Sequence, residues 1–277
     1  MDLYSNVSYR ISKLVTTHYS TSFSLGIIAF SSRYKDAIYA IYGFVRIADE
    51  IVDTFHDQDK QKLFEEFRCD THRSLDRKLS TNPVLHAFQR TVHKYNIDRE
   101  YIDAFLHSME LDITNTHYQR SLYNKYVYGS AEVVGLMCLR VFCEGNDALF
   151  RELISPARAL GSAFQKVNFL RDIKSDIDER GRIYLPGIEE KTAMTDREKE
   201  KLESEIEEEF QKAIPGIMRL PVGVKHGVHS AYLYYSALFK KIRKKRLSEL
   251  MERRVRISNF TKVALLIKSY ITVRFLR

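Results

Sequence analysis

Residues 37–53 read AIYAIYGFVRIADEIVD, and the fold turns on this stretch. It holds one glycine and no proline, and apolar residues run all round it, so it predicts a buried helix. Tyr42, Arg46, Asp49 and Asp53 step by four, three and four, which sets them on one stripe. Ala40, Phe44, Ile47 and Ile51 lie opposite, where a solvent-facing helix would keep its core. An exposed face with an intrahelical ion pair is the alternative. Both sides read as covered, however, and unpaired buried charge is very costly, so the stripe needs partners.

A second stretch, residues 157–176 (ARALGSAFQKVNFLRDIKSD), answers it. Gly161, Gln165, Asn168, Asp172 and Asp176 again share one stripe, among Leu160, Phe164, Val167, Phe169, Leu170 and Ile173. Four carboxylates and an amide facing one another would repel unless cations sat between them. Hard divalent ions with oxygen ligands answer that need, Mg²⁺ first and Mn²⁺ as the alternative. Mg²⁺ held by one or two carboxylates keeps open positions that phosphate oxygens fill. Arg46 and Arg171 stand beside the acids to take the anion's remaining charge. The pattern fits a diphosphate site.

With 277 residues, 44% of them hydrophobic, the chain can bury a substantial core. Five prolines and eleven glycines punctuate it sparsely, and alternating runs of strand type are hard to find. The composition is all-α, and the absence of repeats and linkers predicts one domain over residues 1–277. The net charge of +8 is uneven: residues 196–209 are acidic, and residues 240–256 (KKIRKKRLSELMERRVR) are basic. A basic run is usually a solvated face, but it also attracts an anionic surface. Cys69, Cys138 and Cys143 have neither metal-type nor redox-type spacing, which suits a reducing cytoplasm. The N-terminus lacks the apolar core of a signal peptide, and no uninterrupted apolar run reaches the roughly 18 residues of a spanning helix.

Along the chain, residues 4–19 predict a first helix closed by Ser20, Thr21 and Ser22, and Ser31 or Ser32 caps the helix of the first stripe. A charged amphipathic helix over residues 63–79 follows, and Asn82-Pro83 breaks the chain. Residues 123–142 (YNKYVYGSAEVVGLMCLRVF) predict a helix whose Gly129, Ser130, Ala131 and Gly135 permit close packing or a kink beside a ligand. Glu132 there needs a partner. Residues 195–213 predict a solvated charged helix, Pro215 and Pro221 bracket a turn, and two helices run from His226 to the end. His226 and His229 lack further ligand residues and read as ordinary histidines.

The pair of motifs resembles the squalene and phytoene synthase family. YAIYGFVRIADEIVD is similar to that family's first aspartate motif, and QKVNFLRDIKSD followed by GRIYLP is similar to its second. Ser22-Phe23, YGSAEVVG and RVRISNFTK fall in the family's order, and the similarity is greatest to bacterial phytoene synthases. The resemblance implies a class I isoprenoid synthase-like helical bundle around a central apolar cavity. It further implies that Asp49, Asp53, Asn168, Asp172 and Asp176 hold Mg²⁺ and diphosphate. Arg46, Gln165 and Arg171 would contact the diphosphate, Tyr42 would face the cavity, and Ser22 would lie in a phosphate-contacting segment. Tyr234 and Arg254 would close the site from the C-terminal helices. Arg46, Arg171, Tyr42, Asp49 and Asp172 would then carry the chemistry. Ser175, Glu132 and Lys225 depart from the family's usual acid, glycine and arginine, and none of them is an implied metal ligand.

The implied reaction joins two geranylgeranyl diphosphates head to head through a cyclopropyl diphosphate to give phytoene. No Gly-rich dinucleotide loop is present, so no NAD(P)H is expected. The alternatives within the family are dehydrosqualene or squalene synthesis and presqualene diphosphate synthesis from farnesyl diphosphate. A helical Mg²⁺-dependent nucleotide pyrophosphohydrolase is a rival class, although it would not need so apolar a cavity. A non-catalytic scaffold should have lost carboxylates that are present here. No nucleic-acid motif accompanies the basic run. Residues 240–256 and the apolar residues 260–276 predict peripheral attachment of a cytoplasmic protein to the inner face of the membrane.

Overall fold

The computed structural model describes residues 2–185 and 195–275, and of residues 21, 22 and 275 the backbone alone. Pro186 and the side chain of Ser22 therefore lie outside what is described. Helix is the regular structure throughout, with no strand among the described residues. The order is α1 (Leu3–Tyr19), α2 (Thr21–Ile28), α3 (Ser32–Asp53), α4 (Lys60–Arg77), α5 (Pro83–Tyr95), α6 (Arg99–Thr114) and α7 (Arg120–Val127). A π-helical segment, Tyr128–Glu132, runs into α8 (Val133–Cys143). Then come α9 (Asp147–Asp178), α10 (Asp196–Arg219), α11 (Val222–Arg243), α12 (Leu247–Glu252) and α13 (Asn259–Phe275).

Local chemistry sets the boundaries. Asn82 accepts from the Val84 amide at 3.0 Å, with Pro83 as the first helical residue, where a missing N–H costs nothing. Ser20 ends α1 and starts α2, accepting from the Phe23 amide at 3.1 Å. Ser31 occupies the cap of α3 without a side-chain bond. The back of α3 is buried as its sequence predicts. Phe44 stacks on Phe88 at 3.9 Å between ring centroids and also meets Phe67 and Phe105, while Ala48 and Val52 are fully buried. A second core forms where Val167 and Leu170 of α9 meet Ile206 of α10 and Leu238 and Ile242 of α11.

The structure departs from the sequence expectations in two places, Pro215 and the face of α10, and adds two features to the helical run that follows α6. Pro215 sits inside α10 rather than at a turn, because its neighbour Gly216 lets the helix lie against Pro156, where an added Cβ would come within 2.4 Å. The charged α10 is not wholly solvated: Lys199 and Glu203 are buried together, and Glu205 and Glu209 turn inward to the buried Lys166 Nζ at 2.9 and 2.7 Å. The helical run Arg120–Cys143 is long and apolar enough to cross a membrane by composition, but 56% of its apolar window is buried within the protein. It is the central core helix. Finally, that run is interrupted by the π segment, which admits an extra residue per turn.

Close packing explains the glycines there. A Cβ on Gly129 would fall 2.3 Å from the Ala104 carbonyl oxygen and 2.0 Å from Ser108 Oγ; one on Gly161 would fall 2.8 Å from the Ala131 carbonyl oxygen. Helices α6, the π segment and α9 thus meet backbone to backbone, which sets the spacing of α9 from its neighbours. Glu132 closes the segment by pairing with Arg158 Nε at 2.6 Å. Gly129→Ala should therefore lower unfolding stability by about 1–3 kcal/mol through overpacking. Chemical denaturation measures this, and an unchanged midpoint would refute the packing account.

Candidate active site

The two polar stripes face one another across the C-terminal ends of α3 and α9. Arg180, one turn past Asp176, spans the gap: its Nε donates to Asp53 Oδ2 at 3.0 Å and its Nη1 to Asp176 Oδ1 at 3.0 Å. Arg182 donates to Asp53 Oδ1 at 2.6 Å and to the Val52 carbonyl at 2.9 Å. Neither arginine is singled out by the helical stripes, since both follow the end of α9 in the chain.

Behind Arg182 lies a group that the sequence reading missed. Asp112 of α6 accepts hydrogen bonds from Tyr118, Tyr126 and Tyr184 at 2.8, 2.7 and 2.9 Å, and its Oδ2 lies 3.8 Å from Arg182 Nη1. Burial pushes the Asp112 carboxyl up, while Arg182 and the phenols pull it back. The array thereby anchors Arg182, and through it Asp53. Its sequence signal was faint: one aspartate in an otherwise ordinary amphipathic helix, and tyrosines in a tyrosine-rich chain.

The remaining site residues cluster at the same end. Arg46 binds Asp49 and Glu50 along its own helix and lies over the Tyr19 ring at 4.3 Å, while its buried Nε has no partner. Arg171 Nε donates to Asp172 Oδ1 at 2.9 Å, and Arg254 Nε approaches the same oxygen at 2.6 Å. Arg254 thus reaches the acids from beyond α12. Tyr234 lies under Lys262 at 5.7 Å, with its phenol near enough to Arg171 to favour that guanidinium's charged form, and its neighbour Tyr235 donates to Asn168 Oδ1 at 3.2 Å and stacks on Phe164. The basic run of residues 240–256 is also partly spent, with Arg243 on Glu207, Lys245 on Glu249 and Arg254 on Asp172.

Next to the acids opens a cavity of about 340 Å³. Tyr42, Gln165 and Asn168 line its polar end, and Phe30, Ile41, Val134, Leu139, Phe142 and Ile217 are among its apolar walls. Gly26 and Ile27 belong to the lining; Tyr39 does not, because its ring turns toward Lys13 instead. Aromatic stacking of Phe23 on Tyr42 at 4.7 Å covers the cavity near the rim.

The donor set fits hard cations. All its ligating atoms are oxygens, and burial together with neighbouring carboxylates pushes both Asp49 and Asp176 up to about 7. Their ionised forms are short of positive charge even with Arg46 and Arg180 present. Among the described residues no three acid, histidine or cysteine side chains converge on one point. The arrangement is a pair of open acidic edges rather than a closed cage.

Helical architecture of this kind is shared with solved isoprenoid synthases. A dehydrosqualene synthase superposes with a TM-score of 0.83 at 22% identity, over 98% of each chain. Squalene synthase HpnC from Alicyclobacillus acidocaldarius superposes with a TM-score of 0.76 at 20% identity, over 88% of this chain and 96% of that one. The fold is thus the isoprenoid synthase-like bundle that the sequence predicts. The squalene/phytoene synthase family pattern matches residues 16–261, and the chain belongs to that family of prenyltransferase-type enzymes. Among its relatives, the chloroplastic phytoene synthase 1 of Zea mays is 28% identical over 255 residues, 82% of this chain and 60% of that protein. Phytoene synthase 1 of Arabidopsis thaliana is 33% identical over 187 residues, 62% of this chain and 41% of that protein. The chain spans about three fifths of the length of the curated relatives it matches along most of its own.

The acids also set a pH dependence. Asp176 has 12% of its side chain exposed, and its value lies near 7 rather than the ordinary 3.8. As pH rises, the unfolded chain therefore loses this proton first, and the folded state loses stability between about pH 4 and about pH 7. In the absence of divalent ions, Asp176→Asn should raise Tm at about pH 8 relative to wild type more than at about pH 5. An equal change in Tm at both pH values would contradict the assignment.

Proposed function

We propose that the chain condenses two molecules of geranylgeranyl diphosphate head to head to phytoene, releasing two diphosphates and two protons. The observation that carries this reading is the juxtaposition of facing carboxylate edges with a deep apolar cavity in one helical bundle. A nucleotide pyrophosphohydrolase would share the acids but has no use for the cavity.

Asp49, Asp53, Asp172 and Asp176, with the Asn168 amide, would hold Mg²⁺, or Mn²⁺ in its place. When bound there, such an ion would neutralise the diphosphate and weaken the allylic C–O bond. Arg46 and Arg171 supply fixed positive charge to the leaving group, a role for which a guanidinium is better suited than an ammonium. The unpartnered Arg46 Nε is one donor already available for it. Tyr42 and Gln165 mark the rim where the charged head meets the prenyl tail. The apolar walls exclude water, which would otherwise capture the allylic cation. Attack of the second chain's double bond on C1, with loss of a first proton as the ring closes, gives the cyclopropyl diphosphate. A second ionisation, rearrangement and loss of a proton complete the product with no net reduction, so NAD(P)H has no part in the balance.

Support for the longer substrate comes from the cavity floor and from the phytoene synthases among the relatives. The farnesyl-using reactions are the second reading, motivated by the dehydrosqualene and squalene synthases among the structural neighbours. Purified protein given each diphosphate with Mg²⁺ should form phytoene from the geranylgeranyl substrate. A farnesyl-only product would overturn the choice, and nucleotide hydrolysis without prenyl turnover would overturn the class. Asp49→Ala and Asp172→Ala should each abolish turnover while helical circular dichroism stays intact; near wild-type turnover by either would sink the metal assignment.

Gly26 and Ile27 set the room available to the tail. An added Cβ on Gly26 meets only the Gly227 carbonyl, at 3.6 Å, so a larger side chain there must grow into the cavity. Each prenyl CH₂ that is buried contributes roughly 0.8 kcal/mol. Gly26→Phe or Ile27→Phe should therefore shift the preference toward farnesyl diphosphate in a competition assay. An unchanged substrate ratio in both variants would show that these residues do not limit chain length.

A further inference from the structure

Every carboxylate assigned to the metal already carries a guanidinium. Asp49 holds Arg46, Asp172 holds Arg171 and Arg254, Asp53 holds Arg180 and Arg182, and Asp176 holds Arg180. A divalent ion drawn to these oxygens meets like charge at close range. One of the resident cations therefore has to give way, and the geometry separates those that are fixed from the one that is not.

Arg182 is fixed. Its side chain is 7% exposed, and besides Asp53 it donates to the Val52 carbonyl at 2.9 Å and to the Tyr184 phenol at 3.2 Å. Its withdrawal would also leave the buried Asp112, 3.8 Å away, without a counter-charge. Arg46 and Arg171 pair with acids of their own helices, and Arg254 reaches Asp172 alone of the four, so none of these spans the gap.

Arg180 differs in three respects. Among the described residues it is the guanidinium that bonds acids of both helices, Asp53 and Asp176, each at 3.0 Å. Its side chain is 31% exposed, and no carbonyl or phenol accepts from it among those residues. It also stands past the last regular turn: α9 ends at Asp178, and Gly181 beside it takes a φ of +65°, the left-handed conformation that closes a helix. A change of rotamer there moves the guanidinium without moving α9.

We propose that Arg180 is a resident stand-in cation. In the metal-free protein it holds the α3 and α9 edges together, and it withdraws when a divalent ion takes Asp53 and Asp176. The proposal rests on the metal reading given above and deepens it. Metal alone must displace Arg180 and so binds weakly. Metal with a diphosphate binds better, because phosphate oxygens give the displaced guanidinium charge-assisted bonds in place of those it lost. A plain structural clamp would instead stay on both acids whatever else is bound.

Wild type, Arg180→Gln and Arg180→Lys are to be compared by thermal unfolding in EDTA and in saturating Mn²⁺, without prenyl substrate. Mn²⁺ binding is read separately from the free-ion signal in electron paramagnetic resonance. Arg180→Gln should have a lower Tm in EDTA, where Asp53 and Asp176 lose the cation between them. It should bind Mn²⁺ alone about tenfold more tightly than wild type, since nothing has to be displaced. Saturating Mn²⁺ should return its Tm to that of wild type. Arg180→Lys keeps the charge without the planar fork and should fall between the two. Inorganic diphosphate added with Mn²⁺ should raise the Tm of wild type by more than that of Arg180→Gln. A Tm deficit in Arg180→Gln that persists in Mn²⁺, or Mn²⁺ affinity no tighter than that of wild type, would make Arg180 a clamp and overturn the stand-in alone. Mn²⁺ binding by none of the three proteins, with or without diphosphate, would overturn the metal reading and the stand-in together.

Discussion

Like charges held close together govern this molecule. Asp53 and Asp176 come from helices far apart in sequence, and in water they would repel; here a single guanidinium, Arg180, bonds both. Arg182 secures Asp53 from the other side and is itself tied to the buried Asp112 with its three phenols. Removing one partner of such an array strands a buried charge, which is why these groups act as a unit. The arginines leave Asp49 and Asp176 short of positive charge, and that shortfall is what recommends the site for a divalent cation and its diphosphate.

The rest of the bundle serves that arrangement. The Phe44 stack fixes the back of α3, so its polar stripe has one way to face. Glycines 129 and 161 let the π segment approach α6 and α9 at backbone distance, which places α9 opposite α3. The same close approach leaves the volume beyond Tyr42, Gln165 and Asn168 to apolar walls. Site and cavity are therefore products of one packing solution.

Much of this was legible in the chain. Spacings of three and four put Tyr42, Arg46, Asp49 and Asp53 together, and likewise Gln165, Asn168, Asp172 and Asp176, because helical periodicity is local. The small residues at 129–135 signalled close packing, and the structure adds that the helix widens into a π turn there. What escaped was non-local. Arg180 and Arg182 follow a helix end, where no periodicity predicts direction, and Asp112 gains meaning only from tyrosines supplied by other segments. Tyr234 and Tyr235 are adjacent, and a helical rotation that sequence does not fix decides that Tyr235 meets Asn168 while Tyr234 lies by Arg171 and Lys262. Pro215 read as a breaker, yet the contact of Gly216 with Pro156 kept α10 continuous.

The central claim is that the facing acids hold divalent cations against a diphosphate whose prenyl tail fills the adjoining cavity. Anomalous diffraction from crystals grown with Mn²⁺ and a non-ionising geranylgeranyl thiodiphosphate tests it most directly. The account predicts Mn²⁺ peaks between Asp49 and Asp53 of α3 and Asp172 and Asp176 of α9, with the tail running past Tyr42 toward Gly26 and Ile27. Mn²⁺ bound elsewhere, or a tail lying outside the cavity, would contradict it.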